Sequence, residues 1–179
     1  MNLVIISFYL LLPAYFANIT ASLAGRLKFL PQPLDFNKKL GNNFILGAGK
    51  TLGGSLSGII IAILTAGLQK LLFLNEFFQN ISFINYQQIN WLYLGILGGC
   101  GSVGGDIIAS FFKRRLGLKS GDMAPLLDQL DYIIFYFLLI SITVNLTWEI
   151  IIASLILTLI LHPLANILSY LLKIKKVWW

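Results

Sequence analysis

The chain has 179 residues, of which 58% are hydrophobic and only 11% are charged, and its mean hydropathy is +0.83. A soluble domain carries about 25% charged residues, so the composition excludes an ordinary soluble fold and indicates a protein of the lipid bilayer. The formal net charge of +6 lies in short segments between apolar runs, which favours membrane topology and lipid contact, with no nucleic acid partner.

Five segments free of Asp, Glu, Lys and Arg predict an all-α polytopic membrane protein with about five transmembrane helices. Each can supply roughly 17–25 apolar residues, which suits a hydrocarbon core of about 30 Å. The third segment begins with a polar loop, so its helix should start near Trp91 and end near Phe112. The fourth segment is the shortest. The segments are residues 1–25, 51–69, 77–105, 132–148 and 150–172.

Positive charges fall mainly in three regions that five crossings would place on one side of the membrane. Because cytoplasmic loops carry the excess of Lys and Arg, we predict an outside N-terminus and a cytoplasmic C-terminus. The chain then forms a single membrane-embedded domain, 1–179, with cytoplasmic loops of about 25–50 and 113–130. The tail lysines beside Trp178 and Trp179 are typical of interface anchors. The positive residues of the three regions are Arg26, Lys28, Lys38, Lys39 and Lys50; Lys113, Arg114, Arg115 and Lys119; and Lys173, Lys175 and Lys176.

The end of the first cytoplasmic loop is rich in glycine. Gly47, Gly49, Lys50 and Thr51 are similar to a phosphate-binding loop, but the Walker pattern needs a glycine where Phe44 stands, and no strand precedes it. A smaller prediction survives: backbone amides at the start of the second helix, together with Lys50, seat a phosphate. The alternative is a glycine turn with an interface-anchoring lysine.

Glycines also cluster within the second and third predicted helices. In a membrane, glycines let helix backbones approach closely, so we predict tight packing of these two helices. That packing would make Lys50 and Asp106 neighbours. The same faces could instead pack two copies of the chain, so a homodimer stays open. The glycines are Gly53, Gly54, Gly58, Gly95, Gly98, Gly99, Gly101, Gly104 and Gly105.

Asp106 is the most unusual charge in the chain. It lies about fifteen residues into the third helix, roughly 22 Å from the outer end and within the inner third of the membrane. Ser110 and Lys113 follow on the same helical face. An intramembrane carboxylate is expensive and is a functional-site hypothesis by default.

Asp128 and Asp131 form a second acidic pair, on a helix predicted to start near Pro125. Two carboxylates three residues apart repel each other unless a cation lies between them. Oxygen ligands suit Mg²⁺, which also bridges to substrate phosphates. The sequence has one His and one Cys, so it offers no zinc site.

Candidate polar groups concentrate on the predicted cytoplasmic side. A transporter should show polar groups near the midplane that both sides can reach. His162, before Pro163 in the last helix, fits a kink with a hydrogen-bonded histidine better than a proton relay. The one-sided set is Asp35, Lys50, Asp106, Lys113, Arg114, Arg115, Asp128 and Asp131.

Four motifs together resemble the CTP-dependent lipid cytidylyltransferases, and in particular their archaeal branch, the CDP-archaeol synthase family. The combination of KRR with DQLD is specific, and the GKT segment gains weight in its company. The similarity covers most of the chain. The motifs are PLDF (Pro33–Phe36), LGAGKT (Leu46–Thr51), GGDIIASFFKRRLGLKSGD (Gly104–Asp122) and PLLDQLD (Pro125–Asp131).

This resemblance implies that an isoprenoid glycerol phosphate lipid attacks the α-phosphorus of CTP, giving a CDP-lipid and pyrophosphate, while the lipid tails stay among the bilayer lipids. It implies Mg²⁺ as cofactor on Asp106, Asp128 and Asp131. It further implies catalytic cations at Lys113, Arg114 and Arg115. Nucleotide contacts are expected from Asp35, Gly47, Gly49, Lys50 and Thr51.

Other functions stay open at this point. A phosphatidate cytidylyltransferase making CDP-diacylglycerol would use the same residues on a different lipid, and a CTP-dependent polyprenol kinase is more distant. A small transporter or scaffold is the non-enzymatic alternative. CDP-alcohol phosphotransferases need an Asp-x-x-x-Asp spacing, which Asp128 and Asp131 do not provide.

Overall fold

The computed structural model describes residues 2–173 and 177. The predicted tail anchors Lys175, Lys176, Trp178 and Trp179 lie outside the described residues. Six helices and one small hairpin make up the regular structure of these residues. They are α1 (Leu3–Arg26), β1 (Lys39–Leu40), β2 (Asn43–Phe44), α2 (Leu52–Leu72), α3 (Glu76–Ile81), α4 (Trp91–Arg115), α5 (Leu127–Ile140) and α6 (Trp148–Leu171).

Four of these helices, within the described part of the chain, are long and apolar enough to cross a membrane: α1, α2, α4 and α6. The predicted fifth crossing, over 132–148, is not confirmed. Helix α5 has only 14 residues, about 21 Å of rise against a hydrocarbon core of about 30 Å. It ends at Ile140 because the next residues form turns, in which the Ser141 hydroxyl donates to the Leu138 carbonyl (2.8 Å).

Side-chain caps fix where the long helices begin. Thr51 Oγ1 accepts a hydrogen bond from the Gly54 amide at 3.1 Å, which caps α2. Asn90 Oδ1 accepts from the Leu92 amide at 2.9 Å, so α4 starts at Trp91 as predicted. Such a cap satisfies one of the four orphan amides at a helix start.

Helix α4 lies between α2 and α5 because glycine lines both of its contact faces. A Cβ added at Gly95 would lie 2.7 Å from Ile63 Cα of α2. On the α5 side, a Cβ at Gly101 would lie 2.5 Å from the Phe135 carbonyl oxygen. The predicted close packing of α2 against α4 is therefore confirmed, and α5 is a further neighbour that the sequence reasoning did not identify.

The apolar core fills the half of the bundle away from the charged loops. Its fully buried members include Leu11, Leu94, Ile133 and Ile140. Tyr136 belongs to the same core, and its hydroxyl donates to the Leu10 carbonyl at 2.8 Å. This core holds α1, α4 and α5 in a fixed relation, so polar side chains one to three turns further along face one another.

Candidate active site

Asp35 organises the loop between α1 and α2. Its carboxylate accepts hydrogen bonds from the backbone amides of Asn37 (3.0 Å), Leu46 (2.8 Å) and Gly47 (2.9 Å). The side chain is only 6% exposed. Burial by itself would raise the pKa of this carboxyl, but the amide hydrogen bonds outweigh it, and the pKa lies below its usual value of 3.8. The loop thus closes around an ionised carboxylate.

We expect Asp35→Asn to lower the stability of the folded loop by about 1.5–3 kcal/mol, the usual contribution of a hydrogen bond to a charged group. A carboxyl whose pKa is lower in the folded state stabilises the fold at pH values above its unfolded-state pKa. That stabilisation is lost as the pH falls through the folded-state pKa. The difference in thermal inactivation between wild type and Asp35→Asn in detergent should therefore be full at pH 6 and shrink below pH 3.8. A difference independent of pH would contradict this role of the charge.

Arg115 holds the hairpin of the same loop. Its guanidinium donates to the carbonyls of Leu40 (3.3 Å, from Nη1) and Phe44 (2.6 Å, from Nη2). The side-chain amide of Asn43 (Nδ2) in turn donates to the Arg114 carbonyl at 3.1 Å. The end of α4 and the hairpin therefore position each other.

A cavity of about 560 Å³ opens where this loop, the end of α4 and the start of α5 meet. Among the described lining residues are three cationic side chains, Lys50, Lys113 and Arg114. Three carboxylates, Asp106, Asp122 and Asp128, lie in the same wall. Asp106, Ser110 and Lys113 all line it, which confirms that they share one face of α4.

Two ion pairs balance the charge in this cavity. Lys50 Nζ lies 2.5 Å from Asp106 Oδ1, so the predicted proximity of these two residues is confirmed. Lys113 Nζ lies 2.9 Å from Asp128 Oδ1 and also donates to the Asp122 carbonyl. The Lys113 side chain is 11% exposed and that of Asp128 is 32% exposed. Asp106 and Asp128 thus each have a lysine beside them.

Asp131 stands behind this wall. It is 7% exposed, and its Oδ1 accepts from the Tyr132 amide at 2.6 Å. It interacts electrostatically with Asp106, Lys50 and Asp128. In the described part of the chain, no three His, Cys, Asp or Glu side chains are close enough to hold a metal ion as they stand. The predicted acidic triad is therefore an electrostatic cluster around a cavity, with two members paired to lysines.

The glycine turn follows the two-residue strand β2, so the prediction that no strand precedes it was wrong, although Phe44 still breaks the Walker pattern. The turn packs over the cavity but does not offer all its amides to it. The Gly47 amide is taken by Asp35, and Gly47 lies beside the Arg114 side chain, with a Cβ there 3.8 Å from Nε. Gly49 lines the cavity next to Ser120 of the second loop. Thr51 is buried and caps α2, and it lines an adjoining cavity of about 470 Å³ together with Gly49 and Lys50.

The lining residues contributed by α1 and α6 were not predicted as site residues: Asn18 and Ser22 of α1, and His162 and Asn166 of α6. Each is an uncharged polar residue in a mostly apolar helix, which is usual for helix packing. Their shared depth was the available signal, because each pair lies in the C-terminal half of its own helix. The His162 and Asn166 side chains contact each other at 3.5 Å.

Comparisons with known proteins agree on one family. The sequence model described as CarS-like, CDP-archaeol synthase, matches residues 1–179. The CDP-archaeol synthase of Methanococcus aeolicus is 38% identical over 178 residues, covering 99% of this chain and 97% of the relative. That of Sulfolobus acidocaldarius is 34% identical over 172 residues, covering 94% and 93%. A solved structure of an intramembrane enzyme for archaeal membrane lipid biosynthesis is 30% identical, with a TM-score of 0.72 over 89% of this chain and 91% of that one.

Proposed function

Because the chain belongs to the CDP-archaeol synthase family, we propose that its loop-covered cavity is where CTP-dependent cytidylyl transfer forms CDP-archaeol. The protein is a nucleotidyltransferase of phospholipid biosynthesis. In this reaction an oxygen of the lipid phosphate forms a bond to the α-phosphorus of CTP. The bond from that phosphorus to the β-phosphate oxygen breaks, and pyrophosphate leaves.

One observation carries the placement of the reaction: three cations and three carboxylates line one cavity at one end of an apolar bundle. Phosphoryl and nucleotidyl transfer needs positioning and charge neutralisation more than a protein nucleophile. The cations can hold the triphosphate and the lipid phosphate, and the carboxylates can hold a divalent ion. None of these tasks requires a group at the far end of the bundle.

The donor set fits Mg²⁺. Asp106 and Asp128 offer carboxylate oxygens to the cavity, and Asp131 adds negative potential behind them. Hard divalent cations prefer such oxygen ligands and share them with substrate phosphates. Mg²⁺ held there would supply charge neutralisation on the triphosphate. The number of ions is open between one and two.

The two lysines exchange partners when substrate binds. Without substrate, Lys50 and Lys113 neutralise Asp106 and Asp128. With CTP bound, the ammonium groups would bind phosphate oxygens, and Asp106 and Asp128 would become available to hold a divalent ion. Since both lysines and both of these carboxylates would keep a partner of opposite charge in the two states, the site avoids the heavy cost of an unpaired, partly buried charge.

Arg114 and Arg115 take different roles. Arg114 lines the cavity, and its buried Nε has no hydrogen-bond partner among the described residues, as is also true of Arg115 Nε. We assign Arg114 to phosphate oxygens, with Lys113. The Arg115 contacts with the hairpin favour a positioning role over the catalytic role predicted from the sequence. Asp35 is likewise a positioning residue for the nucleotide loop.

We expect Arg115→Ala to reduce kcat/KM by about 30-fold, because it removes two hydrogen bonds worth about 1 kcal/mol each, about 2 kcal/mol together. The loss should fall on the KM for CTP, and cleavage of the 39–44 hairpin by protease should become faster. Arg114→Ala is the matched comparison, with a larger fall in kcat and an unchanged cleavage rate. If Arg115→Ala lowers kcat without changing hairpin cleavage, Arg115 acts on substrate directly.

The membrane arrangement follows from the same site. We propose five crossings, with α5 as the short one, an outside N-terminus and the cavity facing the cytoplasm at the cell membrane, because the cavity lies at the end richest in Lys and Arg. CTP is a cytosolic nucleotide, which fits this orientation. The chain acts as one membrane-embedded domain. A homodimer stays a prediction, but most of the glycines that suggested it pack helices together within one chain.

The test uses purified full-length protein in detergent with labelled CTP, Mg²⁺ and one of two lipids. We expect pyrophosphate release with digeranylgeranylglyceryl phosphate and much slower release with phosphatidate. Faster release with phosphatidate would move the lipid assignment to the ester class. Absence of CTP binding would overturn the enzymatic function itself, since transport or scaffolding needs no Mg²⁺-dependent nucleotide affinity.

A further inference from the structure

An apolar groove of about 310 Å³, separate from the two cavities described above, runs along the bundle between α1 and α6. Its walls include Ile19 on α1 and Leu161, Leu164 and Leu168 on α6. Tyr132 of α5 contributes to the lining. The walls are thus almost entirely hydrocarbon, in contrast with the charged cavity.

The groove has a closed end and an open end. At the closed end, the Tyr15 hydroxyl and Thr158 Oγ1 are 2.9 Å apart and join α1 to α6. Ile19 and Leu168 lie further along the same two helices, towards the charged loops, and both are exposed, at 49% and 57%. The opening therefore faces the lipid on the cytoplasmic half of the membrane.

The groove and the charged cavity meet at two polar residues. Asn18 and His162 line both of them. From this boundary, one direction leads to Lys50 and Asp106, and the other to leucine and isoleucine side chains. A molecule that occupies both spaces must have a polar, anionic head and a long apolar tail.

We propose that this groove admits the isoprenoid chains of the lipid substrate laterally, between α1 and α6, with Asn18 and His162 beside the glycerol at the boundary. The proposal rests on the function assigned above. The transfer requires the lipid phosphate to reach CTP in the cavity while its chains remain in hydrocarbon. The groove meets that need because it joins the cavity to the bilayer without exposing the chains to water.

The test is to block the groove with Ile19→Trp and to compare Ile5→Trp. Ile5 is on the same helix, is similarly exposed at 46%, and lies about 21 Å away along the axis. We expect Ile19→Trp to raise the KM for the geranylgeranyl lipid by about tenfold or more, with the Kd of CTP unchanged. Ile5→Trp should leave both constants unchanged.

Chain length separates a blocked path from a general disturbance. A lipid phosphate with two short prenyl chains should lose much less from Ile19→Trp than the geranylgeranyl lipid does. Equal losses for both lipids, or equal effects of the two tryptophans, would overturn the α1–α6 path. Failure of the proposed function looks different, because wild-type protein would then turn over neither lipid.

The His162→Phe variant gives a second test of the proposal, and this test does not depend on filling the groove. It keeps an aromatic ring next to Tyr132, whose centroid lies 6.1 Å away, and removes the polar nitrogens at the boundary. We expect a higher KM for lipids of either chain length and an unchanged Kd for CTP. An unchanged KM would remove His162 from the boundary role.

Discussion

Replacing Asp128 by Asn is expected to reduce kcat/KM by about 10³-fold or more, the scale seen when one preorganised electrostatic group is lost. The carboxylate both neutralises Lys113 at 2.9 Å and, in the proposed function, holds Mg²⁺. Asn keeps the shape and can still accept the hydrogen bond that the Ala124 amide donates to Oδ2 at 2.8 Å. The loss is therefore one of charge. Lys113 would keep its hydrogen bond to the Asp122 carbonyl but lose its carboxylate partner, so thermal stability should fall together with the rate.

The Mg²⁺ dependence of turnover distinguishes the two roles of Asp128. We expect Asp128→Asn to need a higher Mg²⁺ concentration for half-maximal rate at saturating CTP. The control is Glu149→Gln, which removes one negative charge at the opposite end of the bundle and should leave the rate unchanged. An unaltered Mg²⁺ dependence, with the rate still low, would assign Asp128 to holding Lys113 and not to the metal.

Replacing Gly105 by Ala is expected to cause the second large effect. A Cβ there would lie 2.5 Å from the Asp131 carbonyl oxygen and 2.9 Å from Phe135 Cβ. Overpacking of this kind costs about 1–3 kcal/mol. It would also push apart α4 and α5, which carry Asp106 and Asp128, and a displacement of about 1 Å can cost about 10² in rate.

The adjacent Gly104 supplies the matched control. A Cβ at Gly104 would meet nothing within 4 Å, and alanine has the higher helix propensity by about 1 kcal/mol. Gly104→Ala should be neutral or slightly stabilising, with turnover intact. Both variants would be compared by thermal inactivation and by kcat. Equal losses in the two would mean that backbone flexibility of α4, and not its contact with α5, matters for the enzyme.

The sequence was sufficient for those parts of the site that helix periodicity decides. The face shared by Asp106, Ser110 and Lys113 follows from residue spacing alone. The contact between Lys50 and Asp106 followed from glycines that let α2 and α4 approach. Both statements concern regular helices, for which one residue fixes the direction of the next.

The Lys113–Asp128 pair could not be predicted in the same way. A loop connects the two residues, and its path depends on backbone conformations outside the helical region. Gly117, Gly121 and Leu126 all have positive φ, of 79°, 96° and 65°. No periodic pattern predicts where such a loop returns. The Arg115 contacts were equally hidden, because carbonyl oxygens of Leu40 and Phe44 have no signature in the sequence.

The fifth crossing shows a different limit. Counting residues without formal charge gave a run of 17, from 132 to 148, but Ser141, Thr143, Asn145 and Thr147 alternate through its second half. These side chains favour turns, since they hydrogen-bond to nearby backbone; Thr143 Oγ1, for example, donates to the Ile140 carbonyl at 3.2 Å. The length of an uncharged run was therefore a poor predictor of the length of the helix.

A helix as short as α5 places a mechanical demand on the bilayer around it. If α5 crosses, its hydrophobic length falls short of the hydrocarbon core by about 9 Å. The lipid can thin beside it, or water and headgroups can dip towards residues 141–147, where Val144 still donates to the Ile140 carbonyl. Such mismatch costs fractions of a kcal/mol per Å and sorts proteins by membrane thickness. The enzyme would then work best in thin or locally deformed membrane, the state in which a lipid headgroup is easiest to lift from its leaflet.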